Sequence, residues 1–260
     1  MLKILKYSFY DLIRSRWTYI YCAFYLVFTF SLLALSNDLS KVVISLMNVV
    51  LLLCPLIATM FGVMYYYNSR EFTELLLAQP IRRTSIFLGQ FLGVAGSLSA
   101  SWILGAGIPF VIYGVFGSEQ AGNFLMLLLT GVVLSFVFAA IAFYIALKHE
   151  NKIKGFGLAI LLWLFFAVIY DGLVLWGLSV FNDYPLEKVS LIASMLNPID
   201  LARILILLKL DISALMGFTG AVFRKFLGSG LGITVSMCVL VLWMVLPAVG
   251  IRRVSLRKDF

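Results

Sequence analysis

The sequence has 260 residues, of which 63% are apolar and only 12% are charged, and its formal net charge is +8. Its mean hydropathy is +1.06. Soluble globular domains contain about 45–50% apolar residues and about 25% charged residues. The composition therefore excludes a soluble enzyme, a nucleic-acid-binding domain and a disordered chain, and it is typical of an all-α protein that crosses a membrane several times.

The basic residues lie in short clusters between the apolar runs. This distribution is a topology signal of membrane proteins and does not indicate a nucleic-acid partner. If the N-terminus faces the cytoplasm, the segments on that side hold fourteen Lys and Arg residues, and the segments on the opposite side hold six. We therefore expect a multi-pass protein of the cytoplasmic (inner) membrane with both termini in the cytoplasm.

The first 16 residues combine charge with an amphipathic pattern. Leu5, Phe9 and Leu12 recur at spacings of three and four, and Lys3 and Arg14 lie in the same segment. This pattern predicts an amphipathic helix over 1–16 that lies in the membrane interface.

Six runs of the sequence are long and apolar enough to cross a bilayer as helices. In chain order they are Trp17–Ser36, Val42–Tyr67, a part of Thr84–Ser118, Gln120–Leu147, Gly155–Phe181 and Leu231–Ile251. Near the far end of the third run, Gly105, Gly107 and Pro109 are expected to kink or break the helix.

The whole chain, 1–260, is expected to form a single transmembrane domain. Two segments outside the spans are unusual: an inner loop at 68–85 and a long, apolar outer loop at 182–230. The glycines within Gly228–Gly232 are expected to form a flexible entry to the sixth span.

The third span carries a small residue at every fourth position. These residues are Gly89, Gly93, Ser97, Ser101 and Gly105. Such a stripe lets another helix approach closely. It is consistent with ordinary helix packing and also with a moving or dimeric helix interface.

Asp171 is the one acidic residue inside an expected span. A charge at that depth costs roughly 3 kcal/mol or more unless it is paired or hydrated. We expect Asp171 to be hydrated or hydrogen-bonded within the bundle, or to act in substrate binding or conformational coupling. The second possibility leaves open a self-contained secondary transporter in which Asp171 binds a proton or an ion.

Motifs for catalysis, nucleotide binding and metal binding are missing. The sequence has no G-x-x-x-x-G-K-[ST] loop, its only histidine, His149, lies in a charged loop, and its Cys and Met residues form no dense cluster. We therefore expect no catalytic residue, no metal site and no bound cofactor in this chain.

The inner loop is the most patterned segment outside the spans. Its characteristic residues are Glu71, Phe72, Glu74, Leu75, Leu76, Pro80 and Arg83. The three apolar members share one face of a short helix, and the two acids lie in its first turn, where the helix dipole favours negative charge. The proline ends the helix and the arginine starts the third span. The helix is either an interfacial anchor or a surface for a cytosolic partner.

This loop resembles the first cytoplasmic loop of type-2 ABC exporter permeases. The family pattern is roughly Arg-Glu, a Gly-Thr-Leu-Glu stretch, Leu-Leu, a small residue, Pro-(Val/Ile) and a basic residue. The matching residues are Glu71, Glu74, Leu75, Leu76, Pro80, Ile81 and Arg83, whereas the glycine is absent. The resemblance covers the whole chain in the order of its spans, and it implies the type-2 permease fold with this loop coupled to an ATPase.

The long outer loop resembles that of NosY-like permeases, the membrane subunits of the nitrous-oxide-reductase maturation transporter. Asn197–Arg203, Leu210–Gly217 and Thr219–Phe223 carry this resemblance. It implies a homodimer, two ATPase subunits (NosF-like) that bind ATP and Mg, and a periplasmic partner (NosD-like). The implied role is copper-site assembly on the periplasmic reductase, by moving a substrate or by transmitting mechanical work.

The same outer loop carries the signals of two amphipathic helices. Asn197 is a good N-cap, Pro198 a good first helical residue, and Asp200 lies in the positive first turn. The apolar faces should pack on the bundle or the outer leaflet, or bind the periplasmic partner. The residues expected at such a docking surface are Asn197, Asp200, Leu201, Arg203, Leu205, Leu208, Asp211 and Met216.

Overall fold

The computed structural model of the chain describes residues 1–36, 38–181, 187–210 and 217–257, and across these ranges no β-strand occurs. The helices are α1 (Leu2–Ile13), α2 (Arg16–Leu35), α3 (Leu39–Asn68), α4 (Arg70–Leu77), α5 (Arg83–Ile112), α6 (Ala121–Lys148), α7 (Lys152–Leu164), α8 (Tyr170–Val180), α9 (Glu187–Leu196), α10 (Pro198–Leu210) and α11 (Gly217–Arg257). A 3₁₀ turn, Val115–Gly117, follows α5, and a π-helical segment, Phe165–Ile169, joins α7 to α8. The expected all-α fold is confirmed.

Within the described residues, six helices are long and apolar enough to cross a membrane. They are α2, α3, α5, α6, the continuous stretch Lys152–Val180, and Gly230–Leu256 within α11. The six expected spans are therefore confirmed by their length and composition.

The centre of the bundle is formed by α3, α5 and α6, in each of which more than half of the apolar window is buried. By contrast, only 11% of the window in Lys152–Val180 and 17% of the window in α11 are buried. Large side chains on these two spans, among them Leu161, Trp176 and Leu246, are exposed. These faces are therefore available to lipid or to another protein.

α1 packs closely on the first half of α5. A β-carbon at Gly93 would lie 2.6 Å from the Cβ of Ser8 and 3.0 Å from the carbonyl oxygen of Leu5. A β-carbon at Gly89 would lie 3.2 Å from the Cβ of Ile4. Because a side chain at either position would collide with α1, the two glycines make this contact possible. The expected amphipathic helix is present, and one of its faces is packed against the bundle.

The rest of the small-residue stripe also faces the chain's own helices. A β-carbon at Gly105 would lie 2.7 Å from the carbonyl oxygen of Cys22 and 2.9 Å from the Cβ of Tyr25, both in α2. Ser97 and Ser101 are buried. The stripe therefore packs helices within one chain, with α1 against Gly89 and Gly93 and α2 against Gly105.

The expected break in the third span does not occur. α5 is helical through Gly105, Gly107 and Pro109 and ends at Ile112. α3 likewise continues through Pro55. In an apolar environment each unpaired backbone group costs several kcal/mol, so a membrane helix persists through proline and glycine when its neighbours can compensate.

The helix that contains the last span begins earlier than the sequence indicates. α11 begins at Gly217 and is helical across Gly228–Gly232, where a flexible entry is expected. The apolar span within it, Gly230–Leu256, begins within one residue of its expected start. Glycine lowers helix propensity by about 1 kcal/mol, but an apolar flank favours the hydrogen-bonded backbone more strongly than that.

Helices α9 and α10 meet at Asn197 with a bend of 112°. α10 contacts α3, α6 and α11. Leu201 and Leu205 are fully buried, and Leu208 is 2% exposed. The apolar face of α10 therefore packs within the bundle of its own chain rather than at an outer docking surface. Of the alternatives left open by the amphipathic pattern, the structure therefore shows packing on the bundle for α10.

Candidate functional site

The first candidate site is α4, the two-turn helix that connects α3 to α5. The short helix expected in the inner loop is present and ends at Leu77, three residues before Pro80. The amide of Ala78 donates to the carbonyl oxygen of Glu74 at 3.2 Å and so closes the last turn. Pro80 and Arg83 lie beyond the helix, and both are exposed.

The inner side of α4 is fastened to two neighbouring helices. Gln90 of α5 is fully buried, and its Nε2 donates to Thr73 Oγ1 at 2.8 Å. Thr73 Oγ1 donates in turn to the carbonyl oxygen of Ser69 at 2.8 Å. The ring of Phe72 stacks on the ring of Tyr7 in α1, with 4.8 Å between the centroids. α4 is therefore held by both α1 and α5.

The outer side of α4 presents one leucine beside two acids. Glu71, Glu74 and Leu75 are exposed, and Leu75 is the most prominent apolar side chain, with 67% of its surface accessible. Arg70 Nε pairs with Glu74 Oε1 at 3.0 Å. This side is open to solvent or to a partner.

The apolar face expected on α4 is divided between two environments. Phe72 is half-buried against α1, Leu76 is also half-buried, and Leu75 points away. The division follows from Tyr7, whose ring offers Phe72 a stacking partner inside the chain. Of the three apolar residues, Leu75 is thus the one most exposed to a second protein.

The second inner connection, between α6 and α7, lies beside the end of α3. Tyr67 Oη donates to the carbonyl oxygen of His149 at 2.6 Å. Lys152 Nζ donates to Asn68 Oδ1 at 3.0 Å. Two connections from different parts of the sequence therefore share one end of the bundle with α4.

The second candidate site joins α8 to α10 through charged side chains. Arg203 Nη1 donates to Asp171 Oδ2 at 3.1 Å and to Asp200 Oδ1 at 2.9 Å. Asn197 Nδ2 lies 3.3 Å from Asp171 Oδ1 and donates to it. We call these four residues the Asp171 cluster. It places the expected intramembrane acid together with three of the residues expected at the docking surface.

Asn197 ties the corner between α9 and α10 to the π-helical segment. Its Oδ1 accepts the amide of Ile199 at 3.0 Å, which caps α10, and its Nδ2 donates to the carbonyl oxygen of Phe166 at 2.9 Å. Nearby, Tyr170 Oη donates to the carbonyl oxygen of Ala193 at 2.7 Å. The bent pair α9–α10 and the fifth span are thus joined by several hydrogen bonds.

Asp200 lies in α10, a 13-residue helix that is not one of the six spans. Burial, together with the hydrogen bond and the negative charge of Asp171, raises the pKa of the Asp200 carboxyl to about 7. Arg203 and Asn197 oppose this rise. The Asp200 carboxyl can therefore bind a proton near neutral pH.

Three of the docking residues expected in the outer loop occupy the core, since Leu201, Leu205 and Leu208 are buried. Asp211 and Met216 lie outside the described residues. In the parts of the chain that the structure describes, no group of three or more His, Cys, Asp or Glu residues could hold a metal ion.

Sequence reasoning missed the residues that fasten α4. Gln90 could have been identified from the sequence, because a buried amide in an apolar span needs a hydrogen-bond partner. Tyr7 could not, since an aromatic residue on an amphipathic helix has many possible roles. Thr73 could be recognised only as a polar residue of the loop.

Comparison with known proteins gives two similar relatives, and no protein-family model matches the chain. The probable ABC transporter permease protein NosY of Stutzerimonas stutzeri is 27% identical over 220 residues, which cover 82% of this chain and 76% of the relative. The probable ABC transporter permease protein NosY of Pseudomonas aeruginosa (strain PAO1) is 28% identical over 182 residues, covering 67% of this chain and 66% of the relative.

These matches cover 82% and 67% of the chain, and both relatives carry the same name. They support a permease subunit of an ABC transporter, and the resemblance of this chain to NosY-like permeases is confirmed.

Proposed function

We propose that the chain is the permease of a NosY-like ABC exporter and works as a homodimer with two ATPase subunits (NosF-like). ATP and Mg would be bound by those subunits, since the sequence contains no phosphate-binding loop. The two similar relatives and the six apolar helices support this proposal.

The observation that carries the proposal is the arrangement of α4. Its outer side offers Leu75 beside Glu71 and Glu74, and its inner side is fixed to α5 by the hydrogen bond from Gln90 to Thr73. A partner that grips the outer side and moves would therefore displace α5 and α1 along with α4. Such a rigid connection suits the transfer of motion from an ATPase to the spans.

The proposed orientation puts α4 and both termini in the cytoplasm, with the protein in the inner membrane. The basic residues support it, because they favour the end of the bundle that carries α1, α4 and the end of α11. The corner at Asn197 would then face the periplasm, and so would the short segment between α5 and α6.

We further propose that the transporter acts with a periplasmic partner (NosD-like) in the copper-site maturation of periplasmic nitrous oxide reductase. Because the leucines of α10 are buried, we place the partner's contact on α9. Val189, Ile192 and Leu196 lie at helical spacing on α9, and each is more than half exposed. The complex would either move a substrate or transmit mechanical work.

The alternative is a secondary transporter in which Asp171 binds a proton or an ion. In the structure both carboxylate oxygens of Asp171 already accept hydrogen bonds, one from Arg203 and one from Asn197. An ion would have to displace these donors. The geometry therefore favours a structural or coupling role for Asp171 over a free ion site.

Expression of the tagged permease in its native host and purification in mild detergent tests the proposal. We expect an ATPase subunit to co-purify and the complex to hydrolyse Mg-ATP, whereas the permease alone should not. A chain that purifies without an ATPase, and that drives flux from a pH gradient without ATP, would contradict it. Loss of that flux in Asp171→Asn would then establish the alternative.

A further inference from the structure

A cleft of about 520 Å³ opens between α1, the start of α2, the end of α3 and α4. Five aromatic side chains line it: Tyr7, Trp17, Phe61, Tyr65 and Phe72. Asp11 also lines the cleft and is exposed. Aromatic faces next to a carboxylate attract an ammonium group, because the ring quadrupole and the negative charge act in the same direction.

A second cleft of about 500 Å³ adjoins the first along α1. Its lining residues are Lys3, Lys6, Tyr7, Tyr10, Asp11 and Arg14. Three cationic side chains favour a phosphate, which accepts charge-assisted hydrogen bonds from Lys and Arg. The two clefts share Tyr7, Asp11 and Arg14. A cleft rich in aromatic side chains and a cleft rich in cationic side chains therefore lie next to each other, with Asp11 and Arg14 at both.

The aromatic cleft continues into the apolar part of the bundle. Trp17 is at the beginning of α2, and Phe61 and Met64 are in the last turns of α3. Both helices are candidate spans, so the cleft lies where a span meets the membrane surface. Tryptophan is enriched at that depth, where one end of a ligand is apolar and the other is hydrated.

We propose that the paired clefts bind the headgroup of a zwitterionic phospholipid with a primary ammonium, of the phosphatidylethanolamine class. The ammonium lies among the aromatic rings beside Asp11, the phosphate lies towards Lys6 and Arg14, and the acyl chains run along Trp17 and Met64. Phe72 of α4 lines the aromatic cleft, whereas Leu75, the side chain proposed to meet the ATPase, lines neither cleft.

Native mass spectrometry of the purified chain, with equal amounts of phosphatidylethanolamine and phosphatidylglycerol, tests the proposal. The wild type should retain phosphatidylethanolamine in preference. Asp11→Asn should lower that preference roughly tenfold, because the attraction between the carboxylate and the ammonium is lost while the aromatic rings remain. Trp17→Leu should lower it while keeping apolar contact with the acyl chain. Glu119→Gln is the control, since Glu119 is an exposed carboxylate outside both clefts.

Three results would overturn the proposal. The first is equal retention of the two lipids by the wild type, or a ratio that Asp11→Asn leaves unchanged. The second is binding of glycerophosphoethanolamine, which lacks acyl chains, as tightly as the lipid, because the site would then take a soluble compound. The third is an Asp11→Lys variant that loses the ATPase subunit with an unaltered lipid ratio, since the cleft would then be a protein contact.

Discussion

Asp171 and Arg203 are 32 positions apart in the sequence, yet their side chains form an ion pair of 3.1 Å between α8 and α10. The pair is partly exposed, at 28% for the aspartate and 39% for the arginine. It connects the fifth span, whose window is only 11% buried, to a helix that lies inside the bundle. The first half of the fifth span, α7, packs on α3 and α6, and the ion pair ties the second half, α8, to α10.

The stability contributed by this pair can be measured with a double-mutant cycle of Asp171→Asn and Arg203→Gln. We expect a coupling free energy of about 1–2 kcal/mol, which is more than a surface pair and less than a fully buried one. The measurement is the thermal unfolding of the permease in detergent.

The exposed pair of Arg70 and Glu74 provides the control cycle. Its side chains are 58% and 54% exposed, so its coupling free energy should be about 0.3–0.5 kcal/mol. Equal coupling in the two cycles would mean that the Asp171–Arg203 pair does not anchor the fifth span.

The raised pKa of Asp200, about 7 against an ordinary value of 3.8, predicts a dependence of stability on pH. Between these values the folded protein binds a proton that the unfolded chain has released. Stability should therefore fall as pH rises from about 4 to about 7 and then become constant. The apparent melting temperature of the wild type should fall between pH 5 and pH 8, and in Asp200→Asn this fall should be smaller. Parallel pH profiles in the two proteins would contradict the assignment.

Substitutions at Leu201, in the core, and at Ile192, on the proposed periplasmic surface, should have different effects. Leu201→Ser should destabilise the permease by about 2–5 kcal/mol, because it empties a fully buried site. Ile192→Ser should leave folding unchanged, since this side chain is 58% exposed, and should weaken retention of the periplasmic partner. Size-exclusion profiles and partner co-purification measure the two effects. A partner retained normally by Ile192→Ser would indicate that lipid covers α9.

Gly93 and Gly107 both lie on α5, and a substitution at Gly107 serves as the control for one at Gly93. Gly93→Leu should release α1, because even a β-carbon there would lie 2.6 Å from Ser8, and the cost should be at least about 1–3 kcal/mol. A side chain at Gly107 meets nothing within 4 Å, so Gly107→Leu should be tolerated. Limited proteolysis of the N-terminal segment reports the difference. Equal resistance in both variants would show that α1 does not depend on the glycine contact.

The spans could be predicted from the sequence because the hydropathy of about 20 consecutive residues adds up to a clear signal. The same holds for α4, whose acidic first turn, amphipathic spacing and following proline are local signals. The position of α10 could not be predicted in this way. An amphipathic helix must bury one face, but the pattern does not say whether its own bundle, lipid or a partner covers Leu201 and Leu205.

The Asp171 cluster shows why the candidate site could be predicted only in part from the sequence. Asp171 and the group Asn197, Asp200 and Arg203 could each be recognised as polar residues in apolar surroundings. Their pairing depends on the bend at Asn197, which brings α10 back to the fifth span. That bend depends on long-range packing, so the four residues were expected at two separate sites.

Leu75→Asp tests whether α4 carries the contact with the ATPase. Truncating one apolar residue at the centre of an interface can cost about 2–4 kcal/mol, or roughly a 30- to 1000-fold loss of affinity. A charge at this position should cost at least as much. Because Leu75 is 67% exposed, the permease itself should fold normally.

Leu2→Asp is the control, since Leu2 is 78% exposed on α1 at the same end of the bundle. The measurement is ATPase co-purification and Mg-ATP turnover in the wild type and in both variants. We expect Leu75→Asp to lose the ATPase subunit or its stimulated turnover, and Leu2→Asp to keep both. Normal retention and turnover in Leu75→Asp would contradict the claim and would direct attention to the connection around His149.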